Sequence, residues 1–117
     1  MIRVRKDAIQ KEQIEPYFEA WEKLSKEIFD AHDERNGKKA QSLMEQGIDL
    51  FEELIVKTSE SQVQQFLLSE EYEAMPLNGM ERFQFIKGRP GQYACFVQLD
   101  ELFKELKKRY ARLRVQK

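Results

Sequence analysis

The stretch from Gly91 to Arg114, GQYACFVQLDELFKELKKRYARLR, decides the fold class. Phe96, Leu99, Phe103, Leu106, Tyr110 and Leu113 recur by steps of three and four, with Leu102 beside them. Because an α-helix turns once in 3.6 residues, that spacing gathers the large apolar side chains on one stripe. Asp100 four residues before Lys104 and Glu105 four before Arg109 add ion pairs in the favourable order. A helix over 91–114 is predicted. Its seam lies at the threshold length for a coiled coil, so packing inside a bundle is the preferred use.

Upstream, Lys87-Gly-Arg-Pro-Gly91 breaks the chain, and Met75 to Gly79 reads as a loop. Between them Asn78 and Glu81 stand at cap spacing before Phe83, Phe85 and Ile86, which predicts a short helix. Ser59 and Gln62 fit a capping box opening another short helix over 60–68, with Val63, Phe66 and Leu67 as its apolar side. A helix over 38–57 follows from Ala40, Leu43, Met44, Ile48, Phe51, Leu54 and Ile55, with Gly47 in the same stripe. Glycine there marks close approach of a neighbouring helix, since it costs about 1 kcal/mol relative to alanine. Tyr17, Phe18, Trp21, Leu24, Ile28 and Phe29 predict a helix over 16–35, opened by Pro16 and stopped by Asn36-Gly37. Glu19–Lys23 and Glu22–Lys26 are in order to pair across its outer face. The short connection makes these two helices an antiparallel hairpin. Ile9 and Ile14 anchor the segment before them, where Asp7 and Gln10 stand at cap spacing.

The whole is an all-α chain: a compact bundle of four to five helices with a long C-terminal helix, read as one domain over 1–117. Charged residues form 35% of the chain, above the usual quarter, and only five Gly and three Pro interrupt it. Both features suit amphipathic helices and fit poorly with a turn-rich β-sandwich. Cys95 is the single cysteine, so no internal disulfide forms. No apolar run approaches the roughly 20 residues that span a bilayer, and the basic N-terminus lacks an apolar stretch after it. A cytoplasmic location without membrane association is expected.

Catalytic signals are weak. His32 has Asp30, Asp33 and Glu34 near it in sequence, but on a helix they do not converge, so no metal site is read. His32 is expected to be exposed near a helix end. Cys95, between Tyr93 and Phe96, reads as a buried structural thiol. The glycines of Lys87 to Gly91 read as a connector rather than an anion cradle. No cofactor is expected, and the chain is read as non-enzymatic.

Charge is more informative than the net of −1 suggests. Residues 59–81 hold five glutamates and no Lys or Arg, whereas 104–117 hold seven cations against Glu105. Lys107, Lys108, Arg109 and Arg112 are candidate interaction residues, yet they spread over several helix faces. Cations at a helix C-terminus also offset its dipole.

At PLNGMERFQFI (76–86), followed by QYACFVQLDELF (92–103), the chain resembles the YpoC-like proteins of Gram-positive bacteria. The resemblance implies a small helical protein of uncharacterised function and carries over no catalytic residue. Within the motif, Glu81 and Arg82 either pair with the last helix or line a recognition surface. The functional reading is an interaction or adaptor domain for a protein partner not identified by sequence, a homodimer included. The alternative is nucleic-acid association through the basic C-terminal helix.

Overall fold

Four of the five predicted helices form: α1 (Lys11–Asp33), α2 (Gly37–Lys57), the short α3 (Gly79–Gly88) and α4 (Tyr93–Val115). They were traced in a computed structural model that describes residues 1–116. The all-α prediction holds, and no strand forms among the described residues.

α1, α2 and α4 pack side by side. Trp21 of α1 lies level with Asp100 of α4, and His32 with Tyr93, so α1 and α4 run antiparallel. Phe51 of α2 meets Phe103, and Thr58 at its end meets Tyr110, so α2 and α4 run parallel. α3 lies across the other flank, where Phe83 packs on Phe51. Every member of the predicted α4 seam is buried, Leu102 and Cys95 included. Such a continuous apolar interior is the main source of stability for a chain of this size.

Several boundaries depart from the predictions. α1 begins at Lys11, and Pro16 sits exposed in its second turn. There the ring forgoes a single hydrogen bond while its fixed φ suits the helix. Buried Ile9 and Ile14 hold the earlier turn in place. α1 ends through Arg35, which takes the left-handed conformation (φ 57°), while Asn36 caps α2 by accepting from the Lys39 N–H at 3.2 Å. Asn78 precedes α3 but is itself left-handed (φ 55°) and makes no side-chain cap. Asparagine tolerates that conformation better than most residues.

The helix predicted over 60–68 does not form; the segment is a run of bends and turns. Ser59 is buried and its hydroxyl donates back to the Ile55 carbonyl at 2.6 Å, so it opens no new helix. The N-terminal segment intervenes instead. The Arg5 N–H donates to Thr58 O at 2.8 Å and the Glu60 N–H to Arg3 O at 2.8 Å. On the other side the Ile2 N–H donates to Glu71 O at 2.7 Å and the Glu73 N–H to Ile2 O at 2.8 Å. Residues 2–5 thus lie between two loop segments, and these long-range bonds outcompete a weak local helical preference. Phe66 stacks on Tyr72 at 5.1 Å, and the Tyr72 hydroxyl accepts from the Leu67 N–H at 3.0 Å.

Candidate functional site

The charged residues singled out by sequence fall into four separate places. Arg82 of α3 forms a two-point ion pair with Glu105 of α4, at 2.9 and 2.7 Å, and also donates to Gln98 and to the Leu77 carbonyl. The guanidinium holds the Glu105 carboxyl below the usual carboxylate range, chiefly through that hydrogen bond. Glu105 therefore turns to Arg82, not to Arg109 as the i,i+4 spacing suggested. Arg109 instead donates to the Glu73 carbonyl at 2.6 Å, tying α4 to the acidic loop. Glu81 is exposed beside Arg82, where a shallow depression is lined by Phe85 and Gln98. Lys108 and Arg112 share the outer, solvated face of α4 and make no hydrogen bond or ion pair among the described residues.

Lys107 belongs elsewhere, in a groove of about 430 Å³ between α1 and α4. Trp21, Phe18 and Phe103 make its floor. The Trp21 indole stacks on Phe103 at 4.5 Å and an interplanar angle of 11°. Its N–H donates to Asp100 Oδ1 at 2.9 Å, and Asp100 Oδ2 meets Lys104 at 2.9 Å. Phe18 stands edge-on to Phe103, both centroids 6.3 Å apart, with the Lys107 ammonium 5.8 Å from the Phe18 centroid. Such a cation over a ring face is attracted by the negative π-surface.

The two walls carry opposite charge. Along α1 stand Glu15, Glu19 and Glu22, with Lys11 at one end; along α4 stand Lys104, Lys107 and Arg114, with Asp100 among them, so the walls are opposite in net sign. No ion pair involves the three glutamates among the described residues. Both walls continue past the groove by helical spacing. Phe29 lies seven residues beyond Glu22 on α1, and Val97 seven before Lys104 on α4. Phe29, Val97 and Tyr93 are 51%, 41% and 49% exposed, an apolar end to a charged face.

His32 borders this apolar end. It is half-buried and edge-on to Tyr93 at 5.2 Å, contrary to the exposed position expected, and its Nε2 is buried without a hydrogen-bond partner. Cys95 is buried as expected, and burial pushes its thiol pKa up. No group of three His, Cys, Asp or Glu side chains is placed to hold a metal ion among the described residues. No described helix is long and apolar enough to cross a membrane.

The α1–α4 groove escaped the sequence reading because its parts had other assignments. Phe18 and Trp21 belong by spacing to the core stripe of α1, and Glu19 and Glu22 stand four residues before Lys23 and Lys26 of their own helix. What could have found it is the flank of each stripe read together, aromatic residues alternating with glutamates on α1 and with lysines on α4.

The fold and this face define a small helical bundle with a charged, aromatic-floored side. The family model described as YpoC-like protein matches residues 11–117, and the chain belongs to the YpoC-like family. It is 34% identical over 97 residues to the uncharacterized protein YpoC of Bacillus subtilis (strain 168), covering 80% of this chain and 59% of that relative. The chain thus spans less than two-thirds of the relative's length. No solved structure matches it.

Proposed function

We propose that this chain is a non-enzymatic protein-interaction domain and that the α1–α4 face is its binding surface. The observation that carries this reading is the pair of oppositely charged walls over an aromatic floor, continued by Phe29, Tyr93 and Val97. Interface centres are enriched in aromatic residues, and flanking charge sets partner choice and orientation. The half-buried ring of Phe18, with the exposed Phe29 and Tyr93, offers rigid apolar area that loses little freedom when covered, and the buried Trp21–Phe103 stack holds Phe18 from beneath.

The test is capture from a nuclease-treated lysate of a Gram-positive bacterium, using wild type beside Phe29→Asp and Val97→Asp. Both positions are exposed, so the variants keep the core. Specific capture lost in both variants supports the reading, and capture indifferent to both overturns it.

Nucleic-acid association is the second reading, favoured by Lys108 and Arg112 on one solvated face. Arg109 and Arg114 are each held by a backbone carbonyl, and Lys104 and Lys107 face the α1–α4 groove, so the cations of α4 do not form one continuous phosphate-facing surface. Binding with a steep salt dependence, lost on Lys108→Gln with Arg112→Gln, would favour that second reading.

A further inference from the structure

We infer that the partner of the α1–α4 face is a second copy of this chain, related by a two-fold axis running along the groove. The inference rests on the interaction reading above and names its occupant.

The argument is geometric. A closed two-fold interface places the same patch on both partners, so the patch must complement itself. Two axes can lie in the plane of this face. An axis across the helices would set α1 against α1, acidic wall on acidic wall. An axis along the helices sets α1 of each copy over α4 of the other. Glu15 and Glu19 then come opposite Lys107 and Lys104 of the second copy, and the match occurs twice; Glu22 comes level with Asp100, whose carboxylate is already engaged by the Trp21 N–H and Lys104. Charge selects the second arrangement.

The same axis preserves position along the bundle. Phe29 lies near the level of Val97, since His32 is level with Tyr93 and Trp21 with Asp100. Phe29 of one copy therefore covers Val97 and Tyr93 of the other. The apolar end meets its own equivalent, and four partly exposed aromatic rings leave water together. Lys11 and Arg114 are the exception at the opposite end, where the axis also brings them together; Arg114 is drawn aside by its bond to the Ile9 carbonyl at 2.9 Å.

The face is large enough. α1 and α4 each have 23 residues. At about 1.5 Å per residue and roughly 10 Å between axes they present roughly 700 Å². Specific, stable interfaces bury about 600–1,000 Å² per partner, a range within which this face falls.

The decisive experiment is analytical ultracentrifugation of wild type, an α1 variant (Glu15→Lys, Glu19→Lys and Glu22→Lys) and an α4 variant (Lys104→Glu and Lys107→Glu). Both sets of positions are on the surface, and circular dichroism checks that each variant folds. Wild type is expected to sediment at twice the monomer mass at micromolar concentration. Each variant alone faces like charge in both halves of the interface and loses affinity by about 100-fold or more. Mixed in equal amounts the two variants restore the dimer mass, because basic α1 then lies over acidic α4 and the reverse.

Wild type that stays monomeric at high micromolar concentration would overturn the inference. So would a dimer indifferent to both variants. A monomer that still captures a partner lost on Phe29→Asp would leave the interaction reading standing and sink this one alone.

Discussion

Gly47 of α2 lies against the indole of Trp21 of α1: a Cβ built at Gly47 would come within 2.6 Å of Trp21 Cζ3 and 3.3 Å of Leu99 Cδ2. The glycine sits where side chains of two other helices, Trp21 of α1 and Leu99 of α4, close on α2, and its stripe position is explained by sterics, not by backbone conformation. Trp21 is buried, stacked on Phe103 and hydrogen-bonded to Asp100, and these contacts hold the indole against the glycine. Gly47→Ala gains about 1 kcal/mol in helix propensity. It loses about 1–3 kcal/mol to overpacking. The expected outcome is net destabilisation of about 1 kcal/mol, read by urea denaturation, with perturbed tryptophan fluorescence. A stabilised variant would mean that the indole can move aside.

Thr58 and Tyr110 supply a second test, since their hydroxyls meet at 2.7 Å in the core where α2 ends beside α4. The Thr58 hydroxyl also lies 2.9 Å from the Leu54 carbonyl, which can only accept, so Thr58 donates there and accepts from Tyr110. Tyr110→Phe removes one donor and should cost about 1 kcal/mol. Thr58→Val strands the buried phenol and should cost about 1–3 kcal/mol. The double variant is expected to be more stable than the two losses summed, because the stranded group has gone. Additive losses in urea melts would refute the pairing.

How much of this was legible in sequence depends on the reach of the interactions involved. Phe96, Leu99, Phe103, Leu106, Tyr110 and Leu113 reported their own burial, because one helix with one apolar side leaves no other arrangement. Gly47 likewise announced a close approach, though not that Trp21 would make it. The segment over 60–68 misled because Ser59 and Gln62 carry a local cap pattern, whereas the bonds from Arg3 and Arg5 that settle its path come from the far end of the chain. Arg82 was legible as one of two alternatives; its pairing with Glu105 needed the angle at which α3 returns along α4. The α1–α4 groove was least legible, since neither helix carries it alone.

Cys95 allows the packing of α4 to be followed chemically. The thiol is fully buried where α4 begins beneath α3, and burial raises its pKa, so little thiolate is available at neutral pH. Alkylation by iodoacetamide is expected to be slow in the native protein and rapid in denaturant. Its rate in intermediate urea should track the unfolded fraction. Rapid labelling under native conditions would show that α3 lifts from α4 locally.

The Arg82–Glu105 pair gives the acid dependence of the same junction. The sign follows from direction: the folded carboxyl titrates below its ordinary value, so its stabilisation is complete above the unfolded value of about 4.3. As pH falls through the lower folded value the proton returns, the ion pair is lost and that contribution disappears. Both side chains are partly exposed (25% and 39%), so solvent screens the pair. A loss of about 1 kcal/mol is expected from Glu105→Gln at pH 7, at the upper end for such a site because the contact is two-pronged. At a pH below the folded value the variant and wild type should converge. Urea denaturation of both proteins at neutral pH and at the lowest pH at which both stay folded measures the difference directly. An equal gap at both pH values would show that the glutamine loss reflects packing, and that Arg82 docks α3 without help from the charge on Glu105.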